Sequence, residues 1–425
     1  MKKVLYSLLA CLMLAGFAAV SAHADDLEDL KAQVKALQDK ISAIEAKQAA
    51  PAPAAAPAAL PGNLSFSGYF RGRFQAPEAE KNSFNATEVT LQPKWDASDK
   101  IHGEAHLWFY PAAPAGPLPM FYLESAMITV DGLAFGPKAK MIAGKARNFA
   151  YGITPAGPNR LVSNYSLYSE SFTHARVTGL QFLNNLDNGK INWNVGLING
   201  FPVKDDYRNM GIELWSQNGG NTVSVLAVGE EAMDGNDPIA ISTRIGGNIT
   251  PRFNMGLSAY FNKLDGKPGD GNGASSFGEV VDKTHPADAT KVGDDHRFWG
   301  VDFKFKDRGF TLQGEYSDAR ITDLDYNGFQ ILAGYDFDDK NSFYIQYGQL
   351  NYDIDNIDDW NTVTAGNQNY DNVLWDKDQI TLSYKHKLSK MAWLQLEHEI
   401  NGEDTPTGVA DVENDITFLE FFVGY

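Results

Sequence analysis

The feature that most restricts what this chain can fold into is a set of segments in which apolar and polar residues alternate one for one. Leu64, Phe66, Phe70 and Phe74 interleave with Ser65, Ser67, Tyr69, Arg71 and Arg73, Gly68 and Gly72 falling on the apolar side. Ile101, Ala105, Leu107 and Phe109 do so with His102, Glu104, His106, Trp108 and Tyr110; Trp299, Val301, Phe303 and Phe305 with Asp302, Lys304 and Lys306. The last segment carries Thr417, Leu419, Phe421, Val423 and Tyr425 on one side. A period of two is the mark of a strand with one greasy and one polar face. These segments run about nine to twelve residues, close to what a tilted strand needs to cross a bilayer. Composition agrees, since 25 Phe, 18 Tyr and 8 Trp beside 39 Gly suit many strands and turns better than stacked helices.

The connections carry a second rhythm. Short joints at 96–100, 131–137, 186–190, 218–221, 250–252, 306–309, 336–341 and 388–390 alternate with longer polar or Pro/Gly-bearing stretches. The longest of these are 149–174, 264–295 and 353–374. Eight short joints in one antiparallel array give nine long connections and eighteen strands, with both ends of the array on the short-turn side. Sixteen is the alternative, because the pattern is weaker near 121–130 and 210–228. The fold class is therefore an all-β transmembrane antiparallel barrel. Backbone groups facing hydrocarbon must pair, which closes the sheet, and so many strands enclose a lumen too wide for side chains to fill. Inward polar residues are then expected to be solvated.

The first 62 residues differ from the rest. Lys2 and Lys3 precede an apolar stretch from Val4 to Val20, and Ala22-His23-Ala24 offers small residues for cleavage, so 1–24 reads as an export signal. Leu8-Leu9-Ala10-Cys11 loosely matches a lipoprotein signal but would cut the apolar stretch in half. Cys11 is the one cysteine, so the mature chain has no thiol chemistry. Leu27, Leu30, Val34, Leu37, Ile41 and Ile44 step by three and four through 25–48, a coiled-coil seam of about three heptads. Ile at both core positions of the last heptad leans toward three strands. Residues 49–62 are almost wholly Ala and Pro and read as an extended linker of roughly 40 Å. No Phe, Tyr or Trp occurs in 25–62, which sets the domain boundary before a barrel at 63–425.

Together these features resemble the Gram-negative outer-membrane porins. The terminal Phe-Phe-Val-Gly-Tyr is similar to the assembly signal of that class, and the coiled coil ahead of the barrel is similar to that of some carbohydrate and anion-selective porins. The resemblance implies a trimeric pore for passive diffusion of ions and small hydrophilic solutes, embedded in outer-membrane lipid with its coiled coil in the periplasm. It also implies that the third long connection folds inward to narrow the lumen. Here that connection carries Arg160, Asn164, Tyr165, Tyr168 and Glu170, with Lys145 and Arg147 before it and Arg176 after. The remaining basic residues on inward faces are Arg71, Arg73, Arg244, Lys304, Lys306, Lys385 and Lys387, against the acids Glu104, Asp302, Glu315, Glu397 and Glu399. A mildly basic wall favours anions, whereas Asp353, Asp355, Asp358, Asp359 and Asp371 in an outer loop attract cations, so the preference stays open.

Other classes fare worse. A net charge of −18 argues against nucleic acid as a partner. His102 and His106 share a strand face but stand roughly 13 Å apart, too far for one metal ion. The run at 353–356 lacks the Gly and Glu of a calcium loop. No catalytic cluster, cofactor motif or metal site emerges, so the chain is not read as an enzyme. The competing function is a structural one, in which the rod at 25–61 spaces the outer membrane from the cell wall, with peptidoglycan as its partner.

Overall fold

The computed structural model describes residues 63–78, 82–109, 121–133, 138–154, 159–186, 190–200, 212–218, 221–226, 239–264, 294–322, 324–353, 374–405 and 412–425. The signal, coiled-coil and linker readings lie outside the described residues. The strands are β1 (Leu64–Ser67), β2 (Tyr69–Pro77), β3 (Ser83–Asp96), β4 (Ile101–Phe109), β5 (Phe121–Asp131), β6 (Lys140–Arg147), β7 (Arg176–Leu186) and β8 (Ile191–Asn199). They continue as β9 (Ile212–Asn218), β10 (Asn221–Leu226), β11 (Ile239–Thr250), β12 (Phe253–Lys263), β13 (Asp295–Asp307) and β14 (Phe310–Ile321). The last five are β15 (Leu324–Asp336), β16 (Asn341–Tyr352), β17 (Lys377–Lys387), β18 (Ala392–Glu403) and β19 (Ile416–Gly424). Among the described residues one short helix, α1 (Leu167–Phe172), lies between β6 and β7.

Each wall strand pairs antiparallel with its neighbour from β2 to β8; β8 then pairs β11, the series runs on to β19, and β19 pairs β2. The sheet is thus closed, and β1 extends β2 on the same neighbour, β3. Sixteen strands form the wall rather than eighteen. The difference is the stretch 212–226: β9 and β10 pair only with each other, so the joint at 218–221 belongs to a hairpin inside a long connection. A period of two shows that a segment is a strand, not which sheet it joins. Eight connections rather than nine therefore lie at the long-loop end, and one is not long: only positions 322 and 323 separate β14 from β15.

The alternation read in the sequence sorts the faces as expected, and the result is inverted relative to a water-soluble protein. Outward Ile245, Leu257, Phe261 and Trp299 are 49–55% exposed, while inward Ser242, Ser258 and Asp302 are buried. An apolar band around a closed barrel is what hydrocarbon requires. The inward polar groups, however, are largely covered rather than solvated, because residues from the long connections pack over them.

Tyr425 extends the seam that β19 makes with β2. Tyr425 N–H donates to Gly68 O at 3.0 Å, Gly68 N–H donates to Tyr425 O at 3.1 Å, and the Tyr425 hydroxyl donates to Thr90 O at 2.6 Å. A Cβ on Gly68, between β1 and β2, would stand 2.3 Å from Thr90 O and 2.6 Å from the Tyr425 hydroxyl. Gly68→Ala should therefore push against both the β3 backbone and the terminal ring and cost about 1–3 kcal/mol by overpacking. The measurement is the temperature at which the folded band disappears on an unheated detergent gel. The loss should be less than additive with Tyr425→Phe, because the two groups touch; an unchanged melting temperature for Gly68→Ala would remove this account of closure.

Candidate functional site

The connection between β6 and β7 is built from residues that hydrogen-bond readily and others that anchor in apolar surroundings, and it lies against the inside of the barrel. Asn148 Nδ2 donates to Ser242 Oγ on β11 at 3.1 Å. Ile153 N–H donates to Glu315 on β14 at 2.6 Å, and the Thr154 hydroxyl binds the same carboxylate. Ser166 Oγ, which caps α1, donates to Gln330 on β15 at 2.5 Å. Ser163 N–H donates to Glu397 on β18 at 2.9 Å, and Asn164 Nδ2 to Glu399 at 2.6 Å. Arg73 on β2 closes the circuit, donating to Ser163 Oγ at 2.5 Å. Carboxylates projecting from the wall thus take up backbone N–H groups that a loop lying inside a barrel would otherwise leave unpaired.

The loop has an apolar anchor as well. Leu167, Tyr168 and Phe172 are buried with Tyr151, Phe298, Tyr326, Leu350 and Tyr352 in one cluster at the long-loop end of the lumen. Phe172 stacks on Tyr326 at 5.4 Å, and Tyr151 meets Phe298 edge-on at 4.7 Å. The Tyr151 and Tyr168 hydroxyls both reach Ser317 Oγ, at 2.6 and 2.8 Å, and burial pushes both phenols well above their ordinary pKa. The β9–β10 hairpin joins the same cluster through Val225 and Leu226, whose N–H reaches the Tyr352 hydroxyl at 3.4 Å. Part of the lumen is consequently a packed core.

The residues expected to line the pore fall into three groups. Arg71, Arg73, Lys145, Arg176 and Arg244 point inward but are less than a tenth exposed and already engaged. Arg71 pairs with Glu88 at 2.9 Å, Arg73 with Glu420 at 2.8 Å, Arg176 with Glu124, and Arg244 with Asp302 at 2.6 Å. Lys145 donates to the Tyr122 hydroxyl at 3.2 Å. Tyr168 is a core residue rather than a lining one, and Glu170 holds His174 Nδ1 at 2.6 Å. Lys304 and Lys306 are exposed on the inward face but sit beside the short turn at 308–309, apart from the loop. Arg147, Arg160 and Tyr165 remain half-buried.

Three inward acids escaped the sequence: Glu88, Glu124 and Glu420. They remove the basic excess inferred for the wall. Glu420 carried a signal, a lone acid between Leu419 and Phe421, whereas its partners Arg71 and Arg73 lie at the other end of the chain.

No family model matches the sequence, and no curated protein does. Solved structures do match in fold. The outer-membrane channel DcaP of Acinetobacter baumannii is 12% identical, with a TM-score of 0.55 over 85% of this chain and 97% of that one. OprB of Pseudomonas putida is 13% identical, with 0.56 over 85% and 94%, and an anion-selective porin from Comamonas acidovorans is 10% identical, with 0.50 over 85% and 98%. These neighbours are Gram-negative outer-membrane porins with a large closed barrel, and at such identities the likeness is one of fold.

The charge network makes its own prediction. Glu420 stands between Arg71, at 3.4 Å, and Arg73, and also accepts from the Ser163 hydroxyl. Glu420→Ala takes from buried Arg73 the carboxylate it binds, while Arg71 keeps Glu88, and should cost about 3–5 kcal/mol. Urea unfolding in detergent measures it; a loss below about 1 kcal/mol would mean that water reaches and screens the cluster.

Proposed function

From a closed sixteen-stranded wall of porin fold, we propose that the chain forms a water-filled channel in the outer membrane of a Gram-negative cell, through which ions and small hydrophilic solutes diffuse down their gradients. The observation that carries this reading is the combination of an outward apolar band with a loop held inside the barrel by carboxylates of the wall. An anchor protein needs the first but not the second. A loop fixed across the lumen sets a narrowest point, and Arg160 and Tyr165 line a cavity there with Gln313, Gln330 and Gln346 of β14–β16. The short-turn end then faces the periplasm and the long connections face outward.

In this reading residues 1–24 direct export, 25–48 associate three copies through Leu27, Leu30, Val34, Leu37, Ile41 and Ile44, and 49–62 space that rod from the barrel. The porin-like fold supports such an assembly, and the heptad seam supplies the contact. No cofactor or metal takes part.

Purified mature protein in a planar bilayer should give stable conductance steps, grouped in threes. Excising residues 156–168 should raise the step size by widening the narrowest point, and removing 25–61 should leave the step size intact while loosening the grouping. Folded protein that carries no current would overturn the channel, and an unchanged step after the excision would overturn the loop as its narrowest point.

A further inference from the structure

The outward face of the wall changes character toward the long-loop end of β13–β16. On β13 the outward run through Val301 and Trp299 ends in exposed Arg297, between the buried, inward His296 and Phe298. On β14 the same face passes from Tyr316 to Asp318 and Arg320, and on β15 from Phe329 to Asn327 and Asp325. Across the strands these groups stand in two rows of direct partners. Arg297, Arg320 and Asp325 form the outer row; Asp318, Asn327 and Asn351 form the inner one, with Trp299 at its end. Beneath them lie the aromatic rings that mark a membrane boundary, Trp299 edge-on to Tyr316 at 5.8 Å and Phe329 beside Tyr347 at 5.5 Å. The polar belt is local, since β4 and β11 end at the same rim in Phe109 and Ile239, both apolar and exposed.

Within the belt the amides form a ladder. Gln349 Nε2 donates to Asn351 Oδ1 at 2.8 Å, and Asn351 Nδ2 donates to Asn327 Oδ1 at 3.1 Å. Arg320 donates to Thr322 O at 3.3 Å and stands 3.6 Å from Asp325. Arg297 lies directly opposite Arg320, a position in which like charges repel. Among the described residues no carboxylate forms an ion pair with Arg297, and no cation forms one with Asp318. The nearby rim acids Asp294 and Asp295 are both held by Lys263, at 2.5 and 2.6 Å.

On a water-facing surface such groups would simply be hydrated. Here they sit on the outside of a barrel just beyond its apolar band, where the neighbour is a lipid headgroup. We infer that the belt binds the headgroup of a phosphorylated glycolipid, its phosphate between Arg297 and Arg320 and its sugar hydroxyls against Asp318, Asn327 and Asn351. A guanidinium fork matches the oxygens of a phosphate, which also relieves the repulsion between the two arginines. Sugar hydroxyls both donate and accept, so they serve a carboxylate and an amide ladder alike. A plain anionic phospholipid would leave Asp318 facing negative charge. The acyl chains continue along Trp299, Tyr316 and Phe329. This inference goes beyond the channel reading and takes from it only the end of the barrel that faces outward.

The test is a binding titration of the folded protein in dodecylmaltoside, read by the anisotropy of a fluorescently labelled glycolipid, an acylated glucosamine disaccharide bearing two phosphates. Its dephosphorylated form and labelled phosphatidylglycerol are the comparisons. Binding of the phosphorylated glycolipid should saturate, with each comparison at least about tenfold weaker. Arg297→Gln should raise the half-saturating concentration at least about tenfold, the loss expected when a charge-assisted hydrogen bond to a phosphate is removed. Arg297→Lys keeps the charge without the fork and should fall between, which covers the case in which the glutamine variant fails to fold. Arg252→Gln, at the short-turn end and paired with Asp307, is the control and should bind as the unsubstituted protein does. Equal binding of phosphatidylglycerol would reveal a general anionic-lipid contact and overturn the sugar assignment. Equal binding of the dephosphorylated form, displacement by millimolar inorganic phosphate, or equal half-saturation for Arg297→Gln and Arg252→Gln would overturn the site itself. The channel is read separately: Arg297→Gln should leave the conductance step unchanged, and folded protein that binds the glycolipid yet carries no current would remove the channel reading while supporting the lipid site.

Discussion

Every feature of this molecule follows from the fact that hydrocarbon accepts no unpaired backbone N–H or C=O. A sheet obeys that rule only if its first and last strands meet, and here β2 meets β19 along Tyr69–Pro77 and Ile416–Gly424. Closure in an all-antiparallel sheet requires an even number of wall strands, and the pair β9–β10 lies outside that ring. It also dictates the inverted distribution of residues, with Trp299 and Leu257 outward and Asp302 and Ser258 inward.

A closed wall of this size leaves space that its own side chains do not fill, and the chain fills part of it with segments that are not wall. The loop between β6 and β7 brings both halves of a small protein core: Leu167, Tyr168 and Phe172 as apolar payload, and backbone donors satisfied by Glu315 and Glu397. Each compensates a weakness of the other. Apolar contacts alone would not fix a loop's orientation, and buried carboxylates alone would be costly without donors. Which charges stay exposed inside the barrel is set by which groups this packing covers.

The wall was legible in the sequence because side-chain alternation reports local geometry, and the inward placement of Arg71, Arg73, Arg244, Asp302 and Glu315 follows from parity alone. What parity cannot report is which group covers which. Tyr168 reads as a pore residue from its polar-aromatic neighbourhood and is instead packed with Tyr151 and Phe172. The hairpin at 212–226 has the period of a wall strand but pairs with itself. Glu420 belongs to Arg71 and Arg73 across a seam that no local window spans.

That seam has a bearing on how the molecule is made. Arg73 and Glu420 are separated by 347 residues, and the Tyr425 hydroxyl reaches back 335 residues to Thr90. The ring cannot close until β19 is present to pair with β2, so the outer edge of β2 stays open until then. Such an edge invites aggregation, and contacts this distant in sequence form slowly. The barrel is thus a structure in which the partner of its first wall strand is its last.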